Sequence, residues 1–345
     1  MTAARKKLAI VVFNLGGPDS PEAVRPFLRN LFRDPAIIQA PGPIREGLAW
    51  LISTLRDKSA RENYAKMGGG SPLLPETQKQ IEALQSALDT DLPDYEIKIW
   101  PAMRYWHPFV EEAVRHVEAW GPDQTILLPL YPQFSTTTTG SSLTAWQQAS
   151  GGEAQTIGCY PVQPDLVKAH ADLIRQTWEK AGRPQNCRLL FSAHGLPQKI
   201  VDAGDPYQWQ VEQTCKAVSE ALPELEDWQV CYQSRVGPLK WIGPSTEEAI
   251  EGAAKDGKSI ILTPIAFVSE HIETLVELDE EYAEFAAEHG VGTYLRVPAL
   301  GDHPDFIRSM AVMVRDALGK PADVRACSGD RICPAEFSQC PCHKG

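Results

Sequence analysis

A chain of 345 residues, 43% apolar and 23% charged, is long enough for two cores and too ordinary in composition to be disordered. A formal net charge of −12, with no extended run of Lys and Arg, excludes the clustered positive surface that nucleic acid requires. No segment approaches the roughly 20 consecutive apolar residues of a membrane-spanning helix.

Arg5-Lys6-Lys7 before "LAIVVF" has the outline of a secretory leader, but the apolar stretch is short. It runs into "NLGGPDSPE" with no small-residue cleavage site, so it reads as a first strand and predicts a cytoplasmic chain. Leu48, Leu51, Ile52 and Leu55 follow at helical spacing, with Trp50 beside them. Periodicity alone predicts a helix packed on the core. "GGGSP" at 68–72 lacks the Gly-Lys-Ser/Thr of a phosphate loop and reads as a turn after that helix.

Six apolar runs end in unusual loops, and they fall into two ordered sets. The first is "AIVVFNLGGP", "IKIWPAMRYWHP" and "ILLPLYPQFSTTTTGSS"; the second is "RLLFSAHGLP", "QVCYQSRVGP" and "IILTPIAFVSEHIET". The first member of each ends in x-Gly-x-Pro. The second carries Arg104 or Arg235, then a proline, then Glu-Glu-Ala opening a helix. The third has an internal proline and a loop bearing hydroxyls or charges. Strands alternating with helical segments predict parallel sheets covered by helices. The expected fold is α/β: two similar Rossmann-like domains whose parallel sheets face a central cleft. The expected boundaries are 1–165, 166–305 and a C-terminal helix with a cysteine-rich tail over 306–345. No dinucleotide-binding Gly-x-Gly-x-x-Gly loop is present.

Ligands of open α/β sheets bind at the carboxyl ends of the strands. That rule gathers Asn14, Arg104, Tyr105, His107, Tyr131, His194, Arg235, Trp241, Glu270, His271 and Glu273 as candidates. His194 ends an apolar run and is followed at once by Gly195, Leu196 and Pro197. In "SEHIET", Ser269 is expected to cap a helix whose first turn pairs Glu270 with Glu273 on one face. "STTTTGSS" at 135–142 suits either helix capping or anion binding.

"NLGGP", "GGGSP", "MRYWHP", "YPQFSTTTTGSS", "SAHGLP", "GDPY", "QSRVGPLKWIGP" and "PIAFVSEHIETLVELDEEY" resemble the ferrochelatase family, in the family's order, from about residue 10 to about 300. The resemblance implies a chelatase-like fold and insertion of Fe2+ into protoporphyrin IX to give protohaem, the last step of haem biosynthesis. It implies catalytic roles for His194 and Glu273 in handling the substrate iron and the pyrrole protons, with His271 and Glu270 in the same motif. Many relatives have Asp where this chain has Glu270. Porphyrin contacts are implied for Leu15, Arg56, Tyr64, Ser71, Arg104, Tyr105, Trp241 and Phe267. The 48–55 helix becomes part of a lip spanning 41–72, which overturns the core reading. Coproporphyrin as substrate, or an iron–sulfur redox or sensor protein on a chelatase scaffold, are the alternatives. Peripheral membrane contact through the lip, and a monomer or a homodimer, are both compatible with the resemblance.

Eight cysteines in a cytoplasmic chain are not expected to form disulfides. Cys327, Cys333, Cys340 and Cys342 crowd the last nineteen residues as C-x5-C-x6-C-x-C, a spacing unlike common zinc or plant-type iron–sulfur sites. Certain bacterial ferrochelatases end in C-x6-C-x-C and carry a [2Fe–2S] cluster. That resemblance implies Cys333, Cys340 and Cys342 with Cys159 as ligands, and Cys327 as competitor for the fourth place. Cys187, Cys215 and Cys231 read as core thiols.

Overall fold

The run KKLAIVVFN forms strand β1 (Lys6–Asn14), and all but its first two residues are buried. The computed structural model describes residues 5–150, 152–235 and 239–342; Val236, Gly237 and Pro238 of the "QSRVGP" loop lie outside the described residues. After β1 come α1 (Val24–Arg33), α2 (Gly42–Lys66), α3 (Leu73–Asp91), β2 (Tyr95–Met103), α4 (Val110–Trp120), β3 (Gln124–Pro129), α5 (Thr139–Ser150) and β4 (Gln155–Cys159). The chain continues through α6 (Pro164–Lys180), β5 (Cys187–His194), α7 (Gln198–Asp202), α8 (Tyr207–Glu220), β6 (Trp228–Gln233), α9 (Thr246–Lys255) and β7 (Ser259–Pro264). A π-helix (Glu273–Glu281), α10 (Tyr282–Glu288), β8 (Tyr294–Arg296), α11 (Pro304–Ala317) and β9 (Val324–Ala326) complete it.

Two compact units result: Met1–Cys159 with Met310–Arg331 and Pro341–Gly345, and Tyr160–Ser309 with Ile332–Cys340. The first holds a parallel sheet ordered β2-β1-β3-β4-β9, the second a parallel sheet ordered β6-β5-β7-β8. In each, the first strand of the set lies between the second and the third, so the repeated motifs correspond to a repeated topology.

The detail repeats too. The Met103 amide donates to the Pro108 carbonyl at 2.7 Å, and the Tyr232 amide to the Pro244 carbonyl at 2.9 Å. The second glutamate of each Glu-Glu-Ala then reaches back to its helix start. Glu112 Oε2 accepts from the Phe109 amide and Glu248 Oε2 from the Ser245 amide, both at 2.6 Å. These contacts satisfy an amide that a helix N-terminus otherwise leaves unpaired.

The division between units falls at Cys159/Tyr160, ahead of the expected 165/166, because β4 belongs to the first sheet and α6 belongs wholly to the second unit. The tail also differs from expectation. Val324–Ala326 pairs with β4, Thr156 opposite Val324, and extends the first sheet by a strand.

One core group sets a pH dependence. His170 is buried on α6, and burial lowers its pKa to about 3, with His303 adding to the effect. An unfolded histidine titrates near 6.5, so between that pH and about 3 the unfolded chain binds the extra proton. Stability contributed by His170 is therefore complete above about pH 6.5 and falls as the pH drops. We expect a loss on the order of 5 kcal/mol across this window. His170→Leu should flatten that part of a urea-denaturation pH profile; an unchanged slope would refute the assignment.

Candidate active site

Strand β5 ends at His194 because the chain must turn there under another backbone. A Cβ on Gly195 would lie 2.9 Å from the Gln233 carbonyl oxygen and 3.3 Å from Trp241 Cε3, so only glycine fits. The Gly195 carbonyl accepts from His194 Nδ1 at 2.6 Å. A carbonyl can only accept, so Nδ1 carries the proton and Nε2 holds the lone pair of the neutral ring.

That Nε2 lies 3.5 Å from Glu273 Oε1, and His271 Nε2 lies 3.8 Å from Glu273 Oε2. One carboxylate thus stands between two imidazoles. His194 keeps 37% of its side-chain surface exposed, whereas His271 is buried against Phe267, ring centroids 4.5 Å apart. Burial lowers the His271 pKa against the opposing pull of Glu273 and Glu270, which keeps that ring neutral.

Ser269 does not cap the helix. The Thr274 hydroxyl accepts from the His271 amide at 2.9 Å, and the π-helix begins at Glu273, so Glu270 and His271 precede it. Glu270 consequently shares no helix face with Glu273. Its Oε1 accepts from Arg296 Nη1 at 2.5 Å and from the Ala299 amide at 2.9 Å. Burial pushes its pKa up, but Arg296 and the amide outweigh it and hold the carboxyl below its usual range. Arg296 also grips Asp279 through Nε and Nη2, at 2.5 and 2.6 Å.

Glu277 is a site residue that sequence reasoning missed. It accepts from the Ser234 amide at 2.9 Å, Ser234 Oγ at 2.6 Å, Gln233 Nε2 at 3.0 Å and Tyr282 Oη at 3.0 Å. Burial raises its pKa, and the charge of Glu273 raises it further. The signal available was its position four residues after Glu273 in "HIETLVE".

In the first unit the strand ends assemble a second polar cluster. Asn14 Nδ2 donates to Thr77 Oγ1 at 2.9 Å, and the Asn14 and Leu15 carbonyls accept from the Arg104 and Tyr105 amides at 2.9 and 3.0 Å. Asp34, also missed, is the hub: it accepts from Tyr105 Oη at 2.8 Å, Arg104 Nη2 at 2.8 Å and Ser141 Oγ. Arg104 Nε in turn donates to Ser141 Oγ at 2.6 Å, which gives the "STTTTGSS" loop a defined partner. Tyr105 is only 1% exposed, so the structure gives it a place behind Arg104 and not on the surface. The Tyr131 hydroxyl is buried without a hydrogen-bond partner, and Arg104 opposes the rise in its pKa that burial causes. Tyr64 is buried at the end of α2, Ser71 and Leu15 are half-buried, and Arg56 is exposed. His107 caps α4 through Glu112 at 2.8 Å, and Arg235 lies 3.6 Å from Glu248; neither joins its unit's cluster.

Helix α2 carries Ile44, Trp50, Leu51 and Leu55 in the open, Leu55 at 73% and Trp50 at 53% exposure. Of the four residues at helical spacing, Leu51 and Leu55 face solvent, whereas Leu48 and Ile52 are half-buried. Beside it, Arg25, Pro26, Arg29, Asn30 and Arg33 of α1 line a cavity of about 340 Å³ with Trp50.

Cys159, Cys333, Cys340 and Cys342 are buried, and no cysteine is in a disulfide. In the first unit a Cβ on Gly158 would come within 2.9 Å of Cys342 Sγ, and the Cys327 amide donates to the Cys159 carbonyl at 2.9 Å. In the second unit Gln210 Nε2 donates to Cys333 Sγ at 3.0 Å. Buried sulfurs with an amide donor fit thiolate ligands of an iron–sulfur centre. Asp172, His303 and Asp305 also bring ligand atoms within 4.8 Å, but Lys168 Nζ lies 2.6 Å from both aspartates and already supplies the cation.

A family model described as Ferrochelatase matches residues 7–318. The protein "Ferrochelatase" of Caulobacter vibrioides (strain NA1000 / CB15N) is 62% identical over 343 residues, covering 99% of each chain. That of Hyphomonas neptunium (strain ATCC 15444) is 56% identical, covering 97% of this chain and 95% of its own. Among solved structures, SirB from Bacillus subtilis with Fe3+ has a TM-score of 0.52 at 14% identity, covering 91% of this chain and 96% of that one. CbiX, described as the terminal enzyme for biosynthesis of siroheme in denitrifying bacteria, has a TM-score of 0.50 at 15% identity, covering 91% and 100%. At those identities the structural likeness speaks to fold.

Proposed function

Because the chain belongs to the ferrochelatase family, its reaction is insertion of ferrous iron into a porphyrin, and we propose that His194 and Glu273 carry it out on protoporphyrin IX. The enzyme is a lyase of haem biosynthesis. The observation that carries the residue assignment is the Glu273 carboxylate standing between His194 and His271 at 3.5 and 3.8 Å.

The chemistry follows from the ring. A free-base porphyrin is flat and blocked by two pyrrole N–H protons. His194 Nε2, unprotonated in the neutral tautomer, takes one proton from a pyrrole nitrogen, passes it by way of Glu273 to solvent, and is then free to take the second. The imidazolium so formed lies beside Glu273, whose negative charge stabilises it. His271 Nε2 stands 3.8 Å from the far oxygen of the same carboxylate. Ferrous iron accepts imidazole and carboxylate ligands, so the pair can also receive the substrate metal whenever His194 Nε2 carries no proton. Phe267 and Trp241 supply apolar surface that grips the ring, and binding energy there favours the bent form that admits the metal. Leu15, Ser71 and Arg56 contribute porphyrin contacts, Arg104, held by Asp34, offers a fixed cation, and Tyr64, buried at the end of α2, supports that wall from behind. Tyr105 acts through Asp34 as a positioning residue, and Glu270 through Arg296.

A [2Fe–2S] cluster on Cys159, Cys333, Cys340 and Cys342 completes the reading. Complete burial of Cys159, against the partial exposure of Cys327, favours Cys159 as the fourth ligand. When bound, the cluster supplies a covalent tie for the tail. The exposed stripe of α2, with Arg25, Arg29 and Arg33 beside it, favours peripheral contact with an anionic membrane from the cytoplasmic side. Among the described residues no helix is long and apolar enough to cross a membrane.

Anaerobic assay of the purified protein with Fe2+ and either porphyrin tests the substrate. We expect protohaem formation at least about tenfold more efficient in kcat/KM than coprohaem formation, roughly 1.4 kcal/mol of discrimination. A preference for coproporphyrin would overturn the substrate and leave the family chemistry intact.

A further inference from the structure

The amide of Gln210 has no role in the proton and metal chemistry above, yet it is fully buried and aimed at a sulfur. Gln210 lies in the first turn of α8, and its Nε2 donates to Cys333 Sγ at 3.0 Å. A neutral thiol is a weak acceptor, and a buried amide gains little from it. The same donor is well matched to a sulfur that carries the negative charge of a metal-bound thiolate.

The surrounding contacts hold this geometry. Trp209 packs on Phe337 with ring centroids 5.8 Å apart, and the Gln339 amide donates to the Gly204 carbonyl at 3.1 Å. The tail segment Ile332–Cys340 is thereby seated on the α7–α8 corner within the second unit. Gln210 therefore meets Cys333 at a fixed place and not on a loose end.

We propose that Gln210 is a positioning and tuning residue for the cluster: its amide donates to the Cys333 sulfur, raises the reduction potential of the centre and slows its loss. The inference rests on the cluster reading given above. A hydrogen bond to a ligating sulfur withdraws electron density and favours the reduced form.

The test compares wild type with Gln210→Met, which keeps the volume and removes the donor, and with Gln210→Glu, which keeps the shape and replaces the donor with an acceptor. We expect wild type to hold two irons and two acid-labile sulfides per chain. Both variants should assemble the same centre as isolated, shift its midpoint potential downward, and release iron to a chelator about fivefold faster. Gln210→Met should also lose one exchangeable-proton coupling in the paramagnetic resonance spectrum of the reduced centre. If wild type carries the centre and both variants match it in potential, release rate and proton coupling, the role of Gln210 is overturned. If wild type holds zinc or no labile sulfide, the cluster reading itself fails. If one variant does not fold, the potential and coupling of the other decide.

Discussion

Replacing His194 by alanine should lower the rate of iron insertion by 10²- to 10⁴-fold, the range that a positioned general base contributes. Porphyrin affinity, followed by fluorescence quenching, should change by less than about threefold, because the imidazole is one polar contact on an apolar ligand. Stability should hold within about 0.5 kcal/mol, since the side chain is partly exposed and its one close hydrogen bond is to the neighbouring carbonyl. Glu273→Gln should also slow insertion, because an amide stabilises the imidazolium poorly. Turnover of His194→Ala within tenfold of wild type would move the base elsewhere, with His271 the next candidate.

Asp34→Ala should be the most destabilising single change in the first unit. The carboxylate is buried and accepts from Tyr105, Arg104 and Ser141 at once. Its removal leaves a guanidinium without its counter-charge and a buried phenol without an acceptor. Breaking such an arrangement costs about 3–5 kcal/mol, which lowers the melting transition by on the order of 10 °C. Asp34→Asn retains an acceptor and should recover part of the loss. Porphyrin binding should weaken in Asp34→Ala along with stability, because Arg104 loses the contact that fixes it. Calorimetry alongside fluorescence titration measures both. A shift below about 1 kcal/mol would mean that Asp34 is not the hub.

The repeated fold was legible because its signals are local. Six apolar runs with distinctive endings are enough to name the strands and their order of use, and the two Glu-Glu-Ala helix starts show in the sequence as they do in space. His194 and Glu273 stood out for the same reason: each sits in a short motif at a strand or helix end. Asp34 did not, because its partners lie about seventy residues or more away and a lone Asp-Pro reads as a turn. Strand β9 is three residues with an arginine at its centre, and its pairing with β4 depends on the sheet edge and not on periodicity. The start of the helix after "SEH" was misplaced because Ser269 looks like a cap, whereas the Thr274 hydroxyl takes that amide role from inside the turn. The stripe on α2 illustrates a different limit. Spacing says that four apolar residues share a face; it does not say whether that face meets protein or solvent.

The π-helix at Glu273–Glu281 closes on the Tyr282 amide, which donates to the Glu277 carbonyl five residues back. A helix of this kind accommodates one residue more per turn than its α-helical neighbour, so it marks a place where chain length, and not residue identity, sets the phase. Deleting a single residue between Leu278 and Glu281 would let the segment relax to an ordinary α-helix. Everything on its amino-terminal side would then rotate by roughly 100° relative to Tyr282 and the core it anchors. Glu273 and Glu277 would leave their partners together, although neither had been substituted. In evolutionary terms this stretch should tolerate exchange of its exposed residues far better than any change in their number, and a single-codon deletion here should be as damaging as substituting Glu273 itself.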